Sequence, residues 1–348
     1  MSWNIVPSST PTFKFLRTLK YRNTLTDDEE MRIPQFLEDT PMLEHVGIRT
    51  VRLSAPVPKS WKNLAVLKLH DCFATAVELI ELLCFTSNLV DLDMNVTLPM
   101  DLVDRLTPIP TVSKCATLLH LDKVKLNFEC LWRAEIGAPR NPLLMAMPHI
   151  RFPNLFTLTI AAPSTEDDSM DAVLNSIRSS GNPSSIHSIT FENLAEEDIT
   201  HVIMSFVAKL PRLESLSIDG NEFVGLMNGN AIHNALQWPA QTGKESIEHP
   251  EAEEKKVALC PQLNSIRLSG WIMDSRLFHH TITNRSANSA LRNVSVQNLE
   301  LTEDGFPSGD LGWLHTMVRA GSLDCAEVIP GRDPATLDPH VRERHGSV

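Results

Sequence analysis

The segment 61–94, WKNLAVLKLHDCFATAVELIELLCFTSNLVDLDM, changes its apolar period twice within 34 residues. Leu64, Leu67 and Leu69 follow L-x-x-L-x-L, which lets a short strand turn alternate side chains to one side, and Cys72 and the small Ala74 extend the pattern. Residues 75–87 then place Val77, Ile80, Leu83 and Cys84 three and four apart, which predicts one face of a helix. At Leu89-x-x-Leu92-x-Met94 the strand spacing returns. A strand, a turn and a helix followed by a second strand of the same kind describe a chain stepping sideways. Neither element can hide its apolar face alone, and stacking against a neighbouring copy hides both. Each fully buried Leu or Ile contributes about 1.5–3 kcal/mol, so several copies are needed to offset the entropy of ordering the backbone.

Matching strand starts occur at Leu16, Leu43, Leu64, Leu89, Leu121, Leu155, Ile186, Leu213, Leu263 and Leu291, the first loosely, since Tyr21 fills its third slot. Four of them are announced by proline: Pro41-Met-Leu43, Pro153-Asn-Leu155, Pro211-Arg-Leu213 and Pro261-Gln-Leu263. Proline cannot continue a helix and biases its predecessor toward extended geometry, so it marks the corner between helix and strand. The longest form is Leu213-x-x-Leu216-x-Ile218-x-x-Asn221-x-Phe223. An Asn or Cys in its ninth position, Asn221 here and Cys72 above, is expected to point inward and satisfy backbone groups at the turn. Where Val51, Trp271 and Leu299 take that slot, the turn is expected to close by packing alone. Helical patterns lie between, best at 26–38, 166–180, 196–210 and 274–284, three of them opening on acidic residues that complement a helix N-terminus.

LAVLKLHDCFA, LESLSIDGNEF and the proline-marked starts resemble the leucine-rich repeats of the F-box/LRR and ribonuclease-inhibitor-like class, with irregular lengths similar to those of fungal F-box-type proteins. The likeness spans about residues 12–302 and implies an α/β leucine-rich-repeat solenoid, a horseshoe with a concave parallel β-sheet and outer helices. Expected along the chain are about ten irregular repeats over 1–302, a capping segment over 303–325 and a mobile tail over 326–348. The charged stretch 239–257, PAQTGKESIEHPEAEEKKV, reads as a solvated insertion loop, and repeat boundaries stay open across 99–153 and 224–260. In the resembled family a helical F-box with an L-P-x-E-like opening precedes the repeats and docks onto a ubiquitin-ligase adaptor. No such opening precedes Leu16, so the adaptor is an expected partner only where an F-box lies upstream. The resemblance implies the substrate-binding part of an F-box-type ubiquitin-ligase receptor; the alternative is an adaptor-free scaffold or inhibitor.

Composition narrows the function. A net charge of −12 excludes a general nucleic-acid binder, which needs a basic footprint, and the single Tyr speaks against a base-stacking surface. No apolar run approaches a membrane span, and the N-terminus has no signal-like core. The six cysteines, Cys72, Cys84, Cys115, Cys130, Cys260 and Cys325, form no C-x-x-C and read as buried free thiols, which places the chain in cytoplasm or nucleus. Phosphate-loop, dinucleotide, nucleophile-elbow and zincin motifs are lacking, so no catalytic residue, cofactor or metal site is assigned. His279-His280 point about 100° apart on a helix, a poor chelating geometry. The acidic clusters Glu166–Asp168 and Glu196–Asp198 read as helix N-terminal charge.

The expected working surface is the side of each strand opposite the leucines. Its candidate partner-binding residues are Lys20, Arg22, His45, Arg49, Lys68, His70, Asp91, Asp93, Lys123 and Lys125. Its first three units are basic in an acidic chain, and with strands about 4.8 Å apart Lys20, Arg22, Arg49, Lys68 and His70 form one patch. Such a patch suits an acidic or phosphorylated segment of a protein partner.

Overall fold

The computed structural model describes residues 14–22, 40–53, 57–99, 113–128, 141–163, 169–180, 183–194, 199–220, 227–229, 232, 236, 260–303, 306–307 and 311–329. Two compact units divide the chain, Met1–Phe191 and Glu192–Val348. In the first lie β1 (Thr18–Arg22), β2 (His45–Arg49), β3 (Val66–Phe73), β4 (Asp91–Thr97), β5 (Ala116–Thr117), β6 (Lys123–Asn127), β7 (Ile150–Arg151) and β8 (Thr157–Ala161). With them are helices α1 (Ala76–Phe85), α2 (Pro142–Ala146) and α3 (Ser169–Ser179). Strand β9 (Ser188–Leu194) carries the division between the units. The second unit adds α4 (Ile199–Val207), β10 (Ser215–Gly220), β11 (Met227–Asn228), β12 (Ser265–Asp274), α5 (Ser275–Asn288), β13 (Asn293–Glu303), β14 (Phe306–Pro307), α6 (Gly312–Arg319) and β15 (Cys325–Ile329).

Every one of the ten expected starts stands two residues before a strand of this ladder. In the first unit β1, β2, β3, β4, β6 and β8 pair in that order, all parallel. The register stays in step, so Leu19, Val46, Leu67, Leu92, Val124 and Leu158 are partners in one row. The last five of these are at most 2% exposed. The second unit repeats the arrangement, with β10, β12 and β13 parallel and Leu216, Ile266 and Val294 in file. Identical positions meeting across each pair bury a continuous apolar seam that no single repeat could hide.

A backbone regularity accompanies the seam. Seven residues after its first Leu or Ile, a repeat often adopts a left-handed conformation: Thr50 (φ 58), Asp71 (φ 52), Ala162 (φ 47), Asn193 (φ 56), Gly270 (φ 76) and Asn298 (φ 48). Ordinary alternation would send the following residue outward. The left-handed step interrupts it, and Val51, Cys72, Leu194 and Trp271 in the ninth position are buried at 0–1% exposure. Cys72 Sγ donates to the Ile48 carbonyl at 3.6 Å, and Trp271 Nε1 donates to the Ile218 carbonyl at 3.0 Å. Both acceptors hold the sixth position of the preceding repeat. The turn at Trp271 is therefore closed by a buried hydrogen bond as well as by packing, which corrects the sequence expectation: an indole N–H does what an asparagine amide would do.

Helix phases also differ in detail. The Thr75 side chain accepts from the Glu78 amide while Glu78 reaches back to the Thr75 amide, and this capping box starts α1 at Ala76. Its buried face is Ala76, Leu79, Ile80, Leu82 and Leu83, so Cys84, expected on that face, is exposed. Asp274 caps α5 through the Leu277 amide at 2.9 Å. Arg285 on α5 is completely buried and donates to the carbonyls of Leu236 at 2.5 Å and Cys260 at 3.3 Å, the residues that bracket the stretch read as an insertion. That stretch, 239–257, lies outside the described residues, as do the helical pattern at 26–38 and the tail beyond Ile329. The capping segment holds α6, and residues 326–329, expected in the tail, belong to β15, which pairs parallel with β13. This is an eleventh repeat, Leu323-x-x-Ala326-x-Val328, whose middle slot holds a small residue.

Trp271→Phe should keep the packing and remove the buried hydrogen bond to the Ile218 carbonyl, lowering stability by about 0.5–1.5 kcal/mol. Urea unfolding at constant m-value measures it.

Candidate protein-interaction face

The strand positions between and beside the buried leucines form outward rows. In the first unit one row runs His45, Val66, Asp91 and Lys123, the next Lys20, Gly47, Lys68, Asp93 and Lys125, and a third joins Arg22, Arg49 and His70. All ten candidate residues thus stand on five neighbouring strands. Lys20, Arg22, His45, Arg49, Lys68 and Lys123 are exposed, whereas His70, Asp91, Asp93 and Lys125 are half-buried.

The rows are less uniform than their basic start suggests. Asp91 and Asp93 on β4 interrupt the positive charge, which resumes at Lys123 and Lys125 on β6. Arg49 Nε pairs with Asp71 Oδ2 at 3.0 Å, and Asn95 Nδ2 donates to Asp71 Oδ1 at 3.4 Å. His70 Nε2 stands 3.8 Å from Asp93 Oδ2. Burial pushes the Asp93 carboxyl above its ordinary value, while His70, Lys125 and Lys68 pull it partly back. One member of this network, Asp71, escaped the sequence reading. Asp71 sits in the left-handed slot of its repeat, a place where Asp and Asn are tolerated, and that recurrence was the available signal. Asn95 is 7% exposed, and its Oδ1 has no hydrogen-bond partner among the described residues. The register between β3 and β4 shifts between Leu69 and Cys72, so the Asn95 row is not continuous with that of His70.

The corresponding face of the second unit is richer in hydroxyls and amides. Arg267 stands 3.9 Å from Asp219 and donates to Gln297 at 3.3 Å, and Ser295 donates to Glu327 at 3.1 Å. On α5, His279 meets the Trp313 ring edge-on at 4.6 Å while His280 lies 2.9 Å from Asn284, so the histidine pair diverges. No group of three or more His, Cys, Asp or Glu among the described residues is placed to hold a metal ion. The acidic clusters at 166–168 and 196–198 lie outside the described residues. Among the described residues no helix is long and apolar enough to cross a membrane.

All five described cysteines are free thiols, but only Cys72 and Cys260 are buried; Cys84, Cys115 and Cys325 are exposed, because they stand at element ends and not on the seam. Burial pushes Cys72 up to about 12 and Cys260 to about 11, the latter against the pull of Arg285. Cys130 is outside the described residues.

Parallel strands repeating in step, a left-handed turn after six of the L-x-x-L-x-L strands and helices between them define an α/β leucine-rich-repeat solenoid. No protein-family model matches the chain, and no curated protein matches it. Among solved structures it is similar to an internalin C2 of Listeria monocytogenes at 12% identity and a TM-score of 0.32, covering 72% of this chain and 75% of that one. It is also similar to a second internalin, InlF, of the same organism at 13% identity and a TM-score of 0.34, covering 81% of this chain and 67% of that one. The repeat class rests on the ladder itself.

Because the Asp93 carboxyl is raised in the folded state, its favourable contribution is fully present below the ordinary value of 3.8 and is lost as pH rises through the folded value. Asp93→Asn cannot ionise, so its stability relative to the parent should improve from acid toward neutrality in a series of urea titrations. In native protein, iodoacetamide should label Cys84, Cys115 and Cys325 and spare Cys72 and Cys260, a difference read by peptide mass mapping.

Proposed function

We propose that this chain is a non-enzymatic protein-recognition module whose first unit holds an acidic segment of its partner across the outward rows of β1 to β6. The observation that carries the reading is charge placement. A chain of net charge −12 carries Lys20, Arg22, Arg49, Lys68, Lys123 and Lys125 on one set of neighbouring strands, against Asp91 and Asp93. Concentrating cations on one surface of an acidic molecule steers an acidic partner and discourages self-association through that surface. The ion pair at Asp71 orients Arg49 before any partner arrives, which lowers the entropy lost on binding.

The likeness of LAVLKLHDCFA and LESLSIDGNEF to F-box/LRR repeats supports a finer setting, the substrate-binding part of a ubiquitin-ligase receptor inside the cell. The alternative is an adaptor-free scaffold or inhibitor. Co-purification with the ubiquitin-ligase adaptor distinguishes them: capture of the adaptor supports the receptor, and partner binding without it supports the scaffold.

Lys20→Glu combined with Lys68→Glu should weaken binding of a degenerate acidic peptide library by roughly tenfold or more while leaving the melting temperature in place, since both side chains are exposed. Fluorescence anisotropy measures the loss; unchanged affinity would remove the acidic-segment reading.

A further inference from the structure

In the middle outward position of their strands, the repeats carry Lys20, Lys68, Asp93, Lys125, Thr159, Thr190, Ser217, Arg267, Ser295 and Glu327. At β2 alone among these strands the position holds glycine, Gly47. Neither backbone nor packing asks for it. Its φ lies outside the left-handed region, and a Cβ built on it would meet only the Leu19 carbonyl oxygen and Lys20 Cγ, both at 3.9 Å, which is ordinary contact. Gly220 shows the opposite case, where an added Cβ would stand 2.8 Å from the Gly270 oxygen. A glycine inside a strand is less favourable than alanine, and where packing does not require it, it can mark a place where something approaches the backbone closely.

What surrounds Gly47 says what that something is. The register pairs it with Lys20 on β1 and Lys68 on β3, and His45 and Arg49 precede and follow it on the same side of β2. With strands about 4.8 Å apart, the two lysine Cα atoms stand about 10 Å apart across a position that has no side chain. Arg49 gives its Nε–H to Asp71, which orients the guanidinium and leaves four of its five donors beyond that bond. A carboxylate offers two coplanar oxygens to such a ring. A phosphoryl group offers three oxygens and about −1.5 to −2 charges, and can meet donors from several sides at once.

We propose that Gly47 is the floor of a phosphoryl-binding cup walled by Lys20, His45, Arg49 and Lys68, and that the partner segment carries a phosphorylated serine or threonine seated there. This rests on the reading of the first unit's outward rows as the partner-binding face and adds to it a requirement for one phosphoryl group at one place.

The test uses the full chain and three fluorescein-labelled degenerate acidic peptide libraries, alike except for a central serine, phosphoserine or phosphothreonine. Anisotropy should show a phosphorylated library bound roughly tenfold or more tightly than the serine library. Gly47→Leu should keep its melting temperature and bring that ratio to about one. Should the leucine variant not fold, Gly47→Ala, whose Cβ has 3.9 Å of clearance, should lower the ratio in the same direction. Equal binding of all three libraries, or a ratio undiminished in the folded variants, overturns the cup and leaves the acidic-segment reading in place. Binding of no library at all overturns both.

Discussion

Parallel strands meeting in step are the constraint from which the remaining features follow. When Leu67, Leu92, Val124 and Leu158 fall into one row, every intervening position is committed to the other side, and a one-residue slip would exchange core for surface along a whole strand. The seam therefore sets the neighbours of each outward side chain. Lys68 stands between Gly47 and Asp93 because Leu67 stands between Val46 and Leu92.

The turn after each strand shows how one requirement is met by different residue types. At two turns the sixth residue's carbonyl accepts from the ninth residue of the next repeat, a thiol at Cys72 and an indole at Trp271, while Val51 and Leu194 fill the same place by packing. The left-handed residue just before the ninth position makes this possible, and threonine, aspartate, alanine, asparagine and glycine all occupy that place. Consensus patterns name one residue type for such a slot, while the geometry asks only for a side chain that packs inward, with or without a donor.

Repeats were legible in the sequence because their signal is periodic and apolar: the ten starts from Leu16 to Leu291 all precede strands. The eleventh, at Leu323, was not, because Ala326 carries too little apolar surface to mark a strand. The phase of α1 was missed for a related reason: Cys84 looks apolar in a pattern, and only the capping box at Thr75 decides which side it faces. On the working face the charged residues of the strands could be named, but not Asp71. Its importance comes from a backbone conformation and from partners on other strands, which no local pattern displays. Gly47 was visible only as a gap, and gaps acquire meaning from the residues that register puts around them.

Arg285 has an effect beyond its own hydrogen bonds. By holding the Leu236 and Cys260 carbonyls with one buried guanidinium, it brings together two points 24 residues apart in sequence. The second unit's core is thereby tied to two separate stretches of backbone through a single side chain of α5. One truncated guanidinium would take a hydrogen bond from both places at once, so a change at a single codon is felt at two distant points of the chain.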